Sequence, residues 1–313
     1  MSLDGHPHLA APDRSLAWLA RRPRTVMIAT VATGAALGWA WLAAVVGSML
    51  ASTDMATLGP GMGILNGLNG LAGLPESVRA SIAVLCSPDG AHFGMPGAGA
   101  WGPRDLAVVF LMWVMMALAM MLPTAAPMLG TYADIAEAAA RKGERAVSVL
   151  VLAAGYLTVW VGFSALATLA QWGLTALRAL TPAMAPASLV LAGTTLIAAG
   201  LYQFTPMKHA CLVRCRSPMP FFFARWTERA AGVYRLGLEQ GLFCFGCCWA
   251  LMTVMFAVGV MNVVWIAVIG VAMAVEKTVS ILWLSRAIGA ALILWGAALL
   301  LASPVGARLL EMV

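Results

Sequence analysis

Long apolar stretches, separated by shorter polar or charged segments, recur along most of the chain. Their approximate bounds are 26–50, 106–129, 147–172, 187–204, 241–261, 263–280 and 281–302. About 20 apolar residues suffice for a helix to cross the hydrocarbon core of a bilayer. Because backbone groups inside a bilayer must be hydrogen-bonded within the fold, the pattern predicts an all-α, polytopic transmembrane helical bundle of about seven spans. The sixth stretch is the weakest, since Glu276 and Lys277 interrupt it, and a re-entrant sixth stretch would leave six spans.

The composition agrees with a membrane location. Of the 313 residues, 62% are hydrophobic and only 10% are charged, whereas soluble domains carry about a quarter charged residues. The first apolar stretch is longer than the hydrophobic core of a cleaved signal peptide, so we expect it to be a span. The predicted organisation is a cytoplasmic segment 1–25, one transmembrane domain 26–303 and a tail 304–313.

The basic residues indicate orientation. The net charge is +6, and the Lys and Arg residues flank apolar stretches instead of forming a soluble basic surface, which argues against nucleic acid and for the lipid bilayer as a partner. With the N-terminus in the cytoplasm, inside segments carry 15 of the 19 Lys and Arg residues. The positive-inside rule therefore predicts a cytoplasmic N-terminus.

Two connecting segments stand out. A Gly- and Pro-rich outer loop covers about 51–104, and a basic inner loop covers about 207–239. Five of the six cysteines lie in or just after that inner loop, and Cys86 is the exception. The five are Cys211, Cys215, Cys244, Cys247 and Cys248. We expect them to converge at the cytoplasmic face.

The chemistry of these cysteines admits three interpretations. Thiolates bind Cu(I) and Zn(II), and Cys244 shares a helix face with Cys247 and Cys248, so a metal site is one. A redox-active pair is the second, because Cys244 and Cys247 have the spacing of a redox motif and a cytoplasmic location disfavours a permanent disulfide. Ordinary packing is the third, since Cys is a small hydrophobe often found buried.

Other candidate ligands are few. On the second stretch, Met112, Met116 and Met120 recur every four residues and form a stripe on one helix face. Thioethers bind Cu(I), so the stripe could be a copper path, although Met is also a common packing residue. His209 lies near the thiols in sequence. Glu276 is a candidate ligand or proton acceptor, with pairing to Lys277 the favoured alternative.

Three sequence blocks resemble a known family. The blocks are Met112-Trp113 with Ala119-Met120-Met121-Leu122-Pro123; Tyr202-Gln203-x-Thr205-Pro206-x-Lys208-x-x-Cys211-x-x-x-Cys215-Arg216-Ser217-Pro218; and Gly241-x-x-Cys244-x-Gly246-Cys247-Cys248-Trp249-Ala250-Leu251-Met252. From about Asp105 to Trp295 the chain resembles the DUF2182 family of predicted metal-binding integral membrane proteins. The resemblance implies a multi-pass protein of the bacterial inner (plasma) membrane, sometimes labelled a copper chaperone. Gln240 and Phe243 stand where that family often has His and Tyr, so no ligand role is transferred to them.

These observations favour a non-enzymatic protein that binds Cu(I), with zinc as a possible alternative ion, through the five cysteines. Delivery to or receipt from a partner protein ranks slightly above transport, because the sulfur path lacks an acidic carrier chain. A membrane thiol-disulfide oxidoreductase is the competing enzymatic hypothesis. A structural subunit of a membrane complex is the third, with packing faces at Ala153-Ala154-Gly155 and Ala198-Ala199-Gly200.

Overall fold

The computed structural model describes residues 22–50, 54–68, 96, 100–142, 146–279, 282–304, 306 and 308. Within them the regular structure is helical, apart from one isolated bridge between Leu180 and Pro186. The α-helices are α1 (Pro23–Leu50), α2 (Pro103–Thr124), α3 (Ala126–Arg141), α4 (Val149–Ala176), α5 (Leu189–Tyr202), α6 (Pro206–Arg216), α7 (Pro218–Ala224), α8 (Ala230–Thr253), α9 (Met255–Val258), α10 (Val263–Thr278) and α11 (Leu282–Leu301). Two 3₁₀ helices, Met55–Leu58 and Met62–Leu68, follow α1. The predicted all-α fold is confirmed.

Five segments of the described chain are long and apolar enough to cross a membrane. They are α1, α2, α4, α8 continued by α9, and the 283–301 part of α11. A sixth is possible if α5 and α6, which are bent by 63° at their junction, form one broken span. The helices are therefore compatible with a multi-pass membrane protein.

The sequence predicts one span more than this, at α10. This helix has 16 residues and a length of about 24 Å. Its two ends contact opposite ends of the bundle: Asn262 donates to Pro60 O beside the 3₁₀ helices, and Lys277 donates to Thr124 Oγ1 at the end of α2. A seventh crossing stays a prediction, and these contacts favour it over a re-entrant segment.

The segment 207–239, predicted as an inner loop between two spans, is mostly helical. Thr205 caps α6 by accepting a hydrogen bond from Lys208 N, and Pro206 occupies the first helical turn. Pro218 occupies the first turn of α7, which has no side-chain cap, and α8 starts at Ala230. The hydropathy pattern did not predict these helices, since their basic residues interrupt the apolar run by which a span is recognised.

The contact between α4 and α8 positions the cysteine-bearing helix. A Cβ atom on Gly155 would lie 3.0 Å from Gly237 Cα, and one on Gly241 would lie 3.0 Å from Tyr156 O. Small residues allow two membrane helices to approach this closely. The close contact places Tyr156 of α4 directly beside Cys244 of α8.

Candidate metal centre

Three of the predicted cysteines lie buried on α8. Cys244, Cys247 and Cys248 are 3%, 1% and 1% exposed. The sulfur atoms of Cys247 and Cys248 are 3.3 Å apart, and Cys247 Sγ donates to Cys244 O at 3.1 Å. One turn of α8 therefore directs three thiols into the protein interior.

Helix α6, which packs against α8, carries the other two cysteines. Cys215 Sγ lies 3.9 Å from Cys247 Sγ. Cys211 lies against Gly246, where a Cβ atom would be 2.6 Å from Cys211 Sγ. The Tyr202 hydroxyl donates to Gly246 O at 2.5 Å. The absence of a side chain at Gly246 thus lets α6 pack its cysteine-bearing face directly on α8.

Cys244 has polar neighbours that the sequence did not reveal. Lys277 Nζ donates to Cys244 Sγ at 2.9 Å and to Thr124 Oγ1 at 2.7 Å. The Tyr156 hydroxyl lies 2.9 Å from the same sulfur and donates to Met121 O at 3.0 Å. Three helices besides α8 therefore contribute to the environment of this one thiol.

A small cavity of about 10 Å³ opens between these groups. It is lined by Thr124, Ala125, Met128, Tyr156, Cys215, Gln240, Cys244 and Lys277. Two thiols, from α6 and α8, thus face the same space, and the thioether-bearing Met128 is at its wall. Gln240 Nε2 is buried without a hydrogen-bond partner. Such a volume accommodates about one water-sized group.

The predicted pairing of Glu276 with Lys277 is wrong. Both carboxylate oxygens of Glu276 accept from Lys208 Nζ at 2.9 Å, and both side chains are 1% exposed. Lys208 also contacts Gln203, and Arg216 Nε donates to Glu276 O at 2.7 Å. The physical reason is that adjacent helical residues do not face each other, so Glu276 points to α6 and Lys277 to Cys244.

Four other predicted ligands, His209 and the three methionines of the stripe, are not part of the thiol cluster. His209 is exposed and lines a different cavity, whose wall contains none of the five cysteines. The stripe of Met112, Met116 and Met120 is buried, and Met120 packs against Gly270 of α10. Contacts between the stripe and the thiols are absent from the described structure. The sixth cysteine, Cys86, lies outside the described residues.

The five thiols do not form a preformed metal-coordination site in the described structure. All five are free cysteines, and the described residues contain no group of three or more His, Cys, Asp or Glu side chains arranged to hold a metal ion. The structure instead places Cys247 Sγ within 3.9 Å of the sulfur atoms of Cys215 and Cys248, and it places Cys215 and Cys244 at the wall of one small cavity.

A family model described as PpoB2, copper chaperone, matches residues 110–299. The chain belongs to this copper chaperone family. No curated protein and no solved structure matches the chain. The match includes α3 to α10, most of α2 and α11, and all five clustered cysteines.

Membership of the PpoB2 family changes the balance among the interpretations. The family description indicates copper handling in a non-enzymatic role, and it names no catalytic activity. The donor atoms of this PpoB2 chain fit that metal, because thiolates and thioethers are soft ligands that prefer Cu(I) to hard cations. The buried sulfur pairs are therefore the strongest candidate for its copper site.

Proposed function

We propose that this PpoB2-family protein binds Cu(I) between α6 and α8 and passes it to another protein. The observation that carries the proposal is that Cys215 and Cys244 line one small cavity, with Cys247 and Cys248 adjacent to them. A pair of thiolates can hold Cu(I), so a modest adjustment of these side chains would suffice. The resemblance to the DUF2182 family supports the same assignment.

Charge balance supports copper at Cys244. Cu(I) held by two thiolates carries one net negative charge, which is costly in a buried site unless a cation lies nearby. Lys277 provides that cation, with Nζ at 2.9 Å from Cys244 Sγ. The centre and Lys277 together would be neutral. Zn(II) with the same two ligands would leave an excess positive charge.

Delivery fits the location of the site better than transport does. With the predicted orientation in the plasma membrane, Cys211 and Cys215 lie at the cytoplasmic end of the bundle, and both are partly exposed. A partner protein could therefore approach the sulfur atoms from that side. In a transporter, the stripe of Met112, Met116 and Met120 would carry the ion onward from the cysteines. The described structure shows no sulfur–sulfur contact between the stripe and the cysteines.

A thiol-disulfide oxidoreductase is the second candidate, favoured by the 3.9 Å separation of Cys215 Sγ and Cys247 Sγ. It would exchange disulfides without bound metal. A structural subunit has less support, because its proposed packing faces are occupied within the chain. Gly155 packs on α8, and a Cβ atom on Gly200 would lie 2.8 Å from Gly289 O of α11.

The test is copper content by mass spectrometry on protein purified in detergent, reduced and without oxygen. We compare the wild type with a variant carrying Cys244→Ser, Cys247→Ser and Cys248→Ser, using Cys86→Ser as the matched control. The proposal expects near-stoichiometric copper in the wild type and the control, and its loss in the triple variant. Disulfide exchange without metal in any sample, even after Cu(I) addition, would favour the oxidoreductase.

A further inference from the structure

A second cavity lies beside α6, and none of the five clustered cysteines lines it. Its volume is about 510 Å³. Four of its lining residues carry basic side chains, namely Lys208, His209, Arg216 and Arg286. The cavity wall contains no Asp or Glu. A space of this size with such a wall attracts an anion.

Two of the positive charges that line this cavity have no acidic partner within the described structure. Lys208 is balanced by Glu276. Neither Arg216 nor Arg286 has an acidic partner among the described residues. In addition, Arg216 Nη2 is buried without a hydrogen-bond partner. A buried guanidinium nitrogen without an acceptor is costly, so an acceptor supplied by a ligand would stabilise this arrangement.

Several other arginines between residues 207 and 239 do have a partner within the chain. Arg225 and Arg235 both pair with Glu239, and the Arg214 guanidinium stacks over the Phe243 ring at 4.7 Å. The protein therefore satisfies several neighbouring guanidinium groups internally and leaves the two that line the cavity for another acceptor.

Aromatic side chains at the cavity indicate where the ligand comes from. Trp283 is 65% exposed and Phe204 is 50% exposed, and both line the cavity. Tryptophan is enriched at the level of the lipid headgroups. The cavity thus combines exposed aromatic side chains, suited to contact with acyl chains, with basic side chains, suited to a phosphate.

We propose that this cavity binds a phosphate-bearing anion through Arg216 and Arg286, and that the ligand is the headgroup of an anionic phospholipid. The fixed geometry of two guanidinium groups suits bidentate contacts with phosphate oxygens. The site is separate from the thiols, although both contact α6: Lys208 and Arg216 face this cavity, and Cys211 and Cys215 face α8. Bound lipid would hold α6 in place without contacting the metal.

The test is native mass spectrometry of the full chain in detergent with added phosphatidylglycerol or phosphatidylcholine. We compare the wild type with Arg286→Gln, Arg216→Gln and the double variant, and use the exposed Arg229→Gln as the matched control. Each cavity arginine should contribute about fivefold to phosphatidylglycerol affinity, hence about 25-fold for the pair. The control and phosphatidylcholine binding should be unchanged.

A separate arm adds inorganic phosphate at millimolar concentration. Retention of phosphatidylglycerol supports the lipid, whereas arginine-dependent displacement by phosphate alone overturns the lipid source and keeps the anion site. Equal phosphatidylglycerol binding by the wild type and Arg286→Gln would overturn the proposal. Because Arg286 is exposed, that variant remains informative even if Arg216→Gln fails to fold. Copper content is measured in every sample, so failure here is distinct from failure of the copper site.

Discussion

At the scale of single residues, Cys244 and Lys277 define the chemistry of the proposed copper site. The cysteines were identifiable from the sequence because their number and spacing are unusual. Tyr156, Thr124 and Lys277 were not, since they come from three other helices and carry no local pattern. Their role near Cys244 depends on distances of 2.7 to 2.9 Å that only the tertiary structure provides.

We predict that Lys277→Met weakens Cu(I) binding. Removing the ammonium leaves the charge of the copper-thiolate centre unbalanced, a loss of about 1–3 kcal/mol or roughly 5- to 150-fold in affinity. Competition with a Cu(I) chelator measures it. The exposed Lys142→Met serves as the control. Equal affinities in the two variants would show that Lys277 does not balance the bound ion.

A second residue-scale prediction concerns the buried pair of Lys208 and Glu276. Glu276→Leu alone should destabilise the protein by about 3–5 kcal/mol, because it leaves a buried ammonium unpaired. The double variant Lys208→Met/Glu276→Leu should be more stable than either single variant. Thermal unfolding in detergent, followed by size-exclusion chromatography, compares all three. A double variant as unstable as the sum of the singles would contradict the pairing.

At the scale of helices, the long apolar helices were predictable and the short basic helices between them were not. Helices such as α4 are recognisable because the bilayer demands a continuous apolar run. The basic helix α6 lacks that run, and its identity depends on the Thr205 cap and Pro206. Its 63° bend away from α5, which sets the cysteines beside α8, has no equivalent in the hydropathy pattern.

The close contact between α4 and α8 gives a prediction with a control on the same helix. Gly155→Ala should destabilise the protein by about 1–3 kcal/mol and lower its copper content, since the added methyl group meets α8 and separates Tyr156 from Cys244. Gly162→Ala meets nothing within 4 Å and should be neutral or slightly stabilising. Thermal unfolding and metal content are measured together. Equal behaviour of the two variants would contradict the packing account.

At the scale of the whole molecule, the order of the helices brings distant cysteines together. Helices α6 and α8 lie in different parts of the predicted topology, yet the convergence of the five cysteines followed from counting spans. That they converge at the cytoplasmic face stays a prediction. Counting spans did not predict that α6 directs Cys211 and Cys215 to α8 while its Lys208 and Arg216 line a different cavity. Seven crossings, with the N-terminus inside, place the C-terminus outside.

The topology is testable with reporters fused after residue 313. We predict that alkaline phosphatase, which is active only outside the cytoplasm, is active there and that green fluorescent protein is not fluorescent. The same reporters fused after residue 225 should give the reverse result, because that position lies on the side rich in Lys and Arg. Cytoplasmic readouts at both positions would show that one crossing, most simply α10, is absent.

The central claim is that buried sulfur atoms hold the copper, and X-ray absorption at the copper K-edge tests it most directly. The measurement uses the reduced protein loaded with one equivalent of Cu(I), beside Cys244→Ser and Cys86→Ser. The account predicts Cu(I) with sulfur neighbours in the wild type and in Cys86→Ser, and a reduced sulfur signal in Cys244→Ser. Copper with only nitrogen or oxygen neighbours, or a spectrum unaffected by Cys244→Ser, would contradict it.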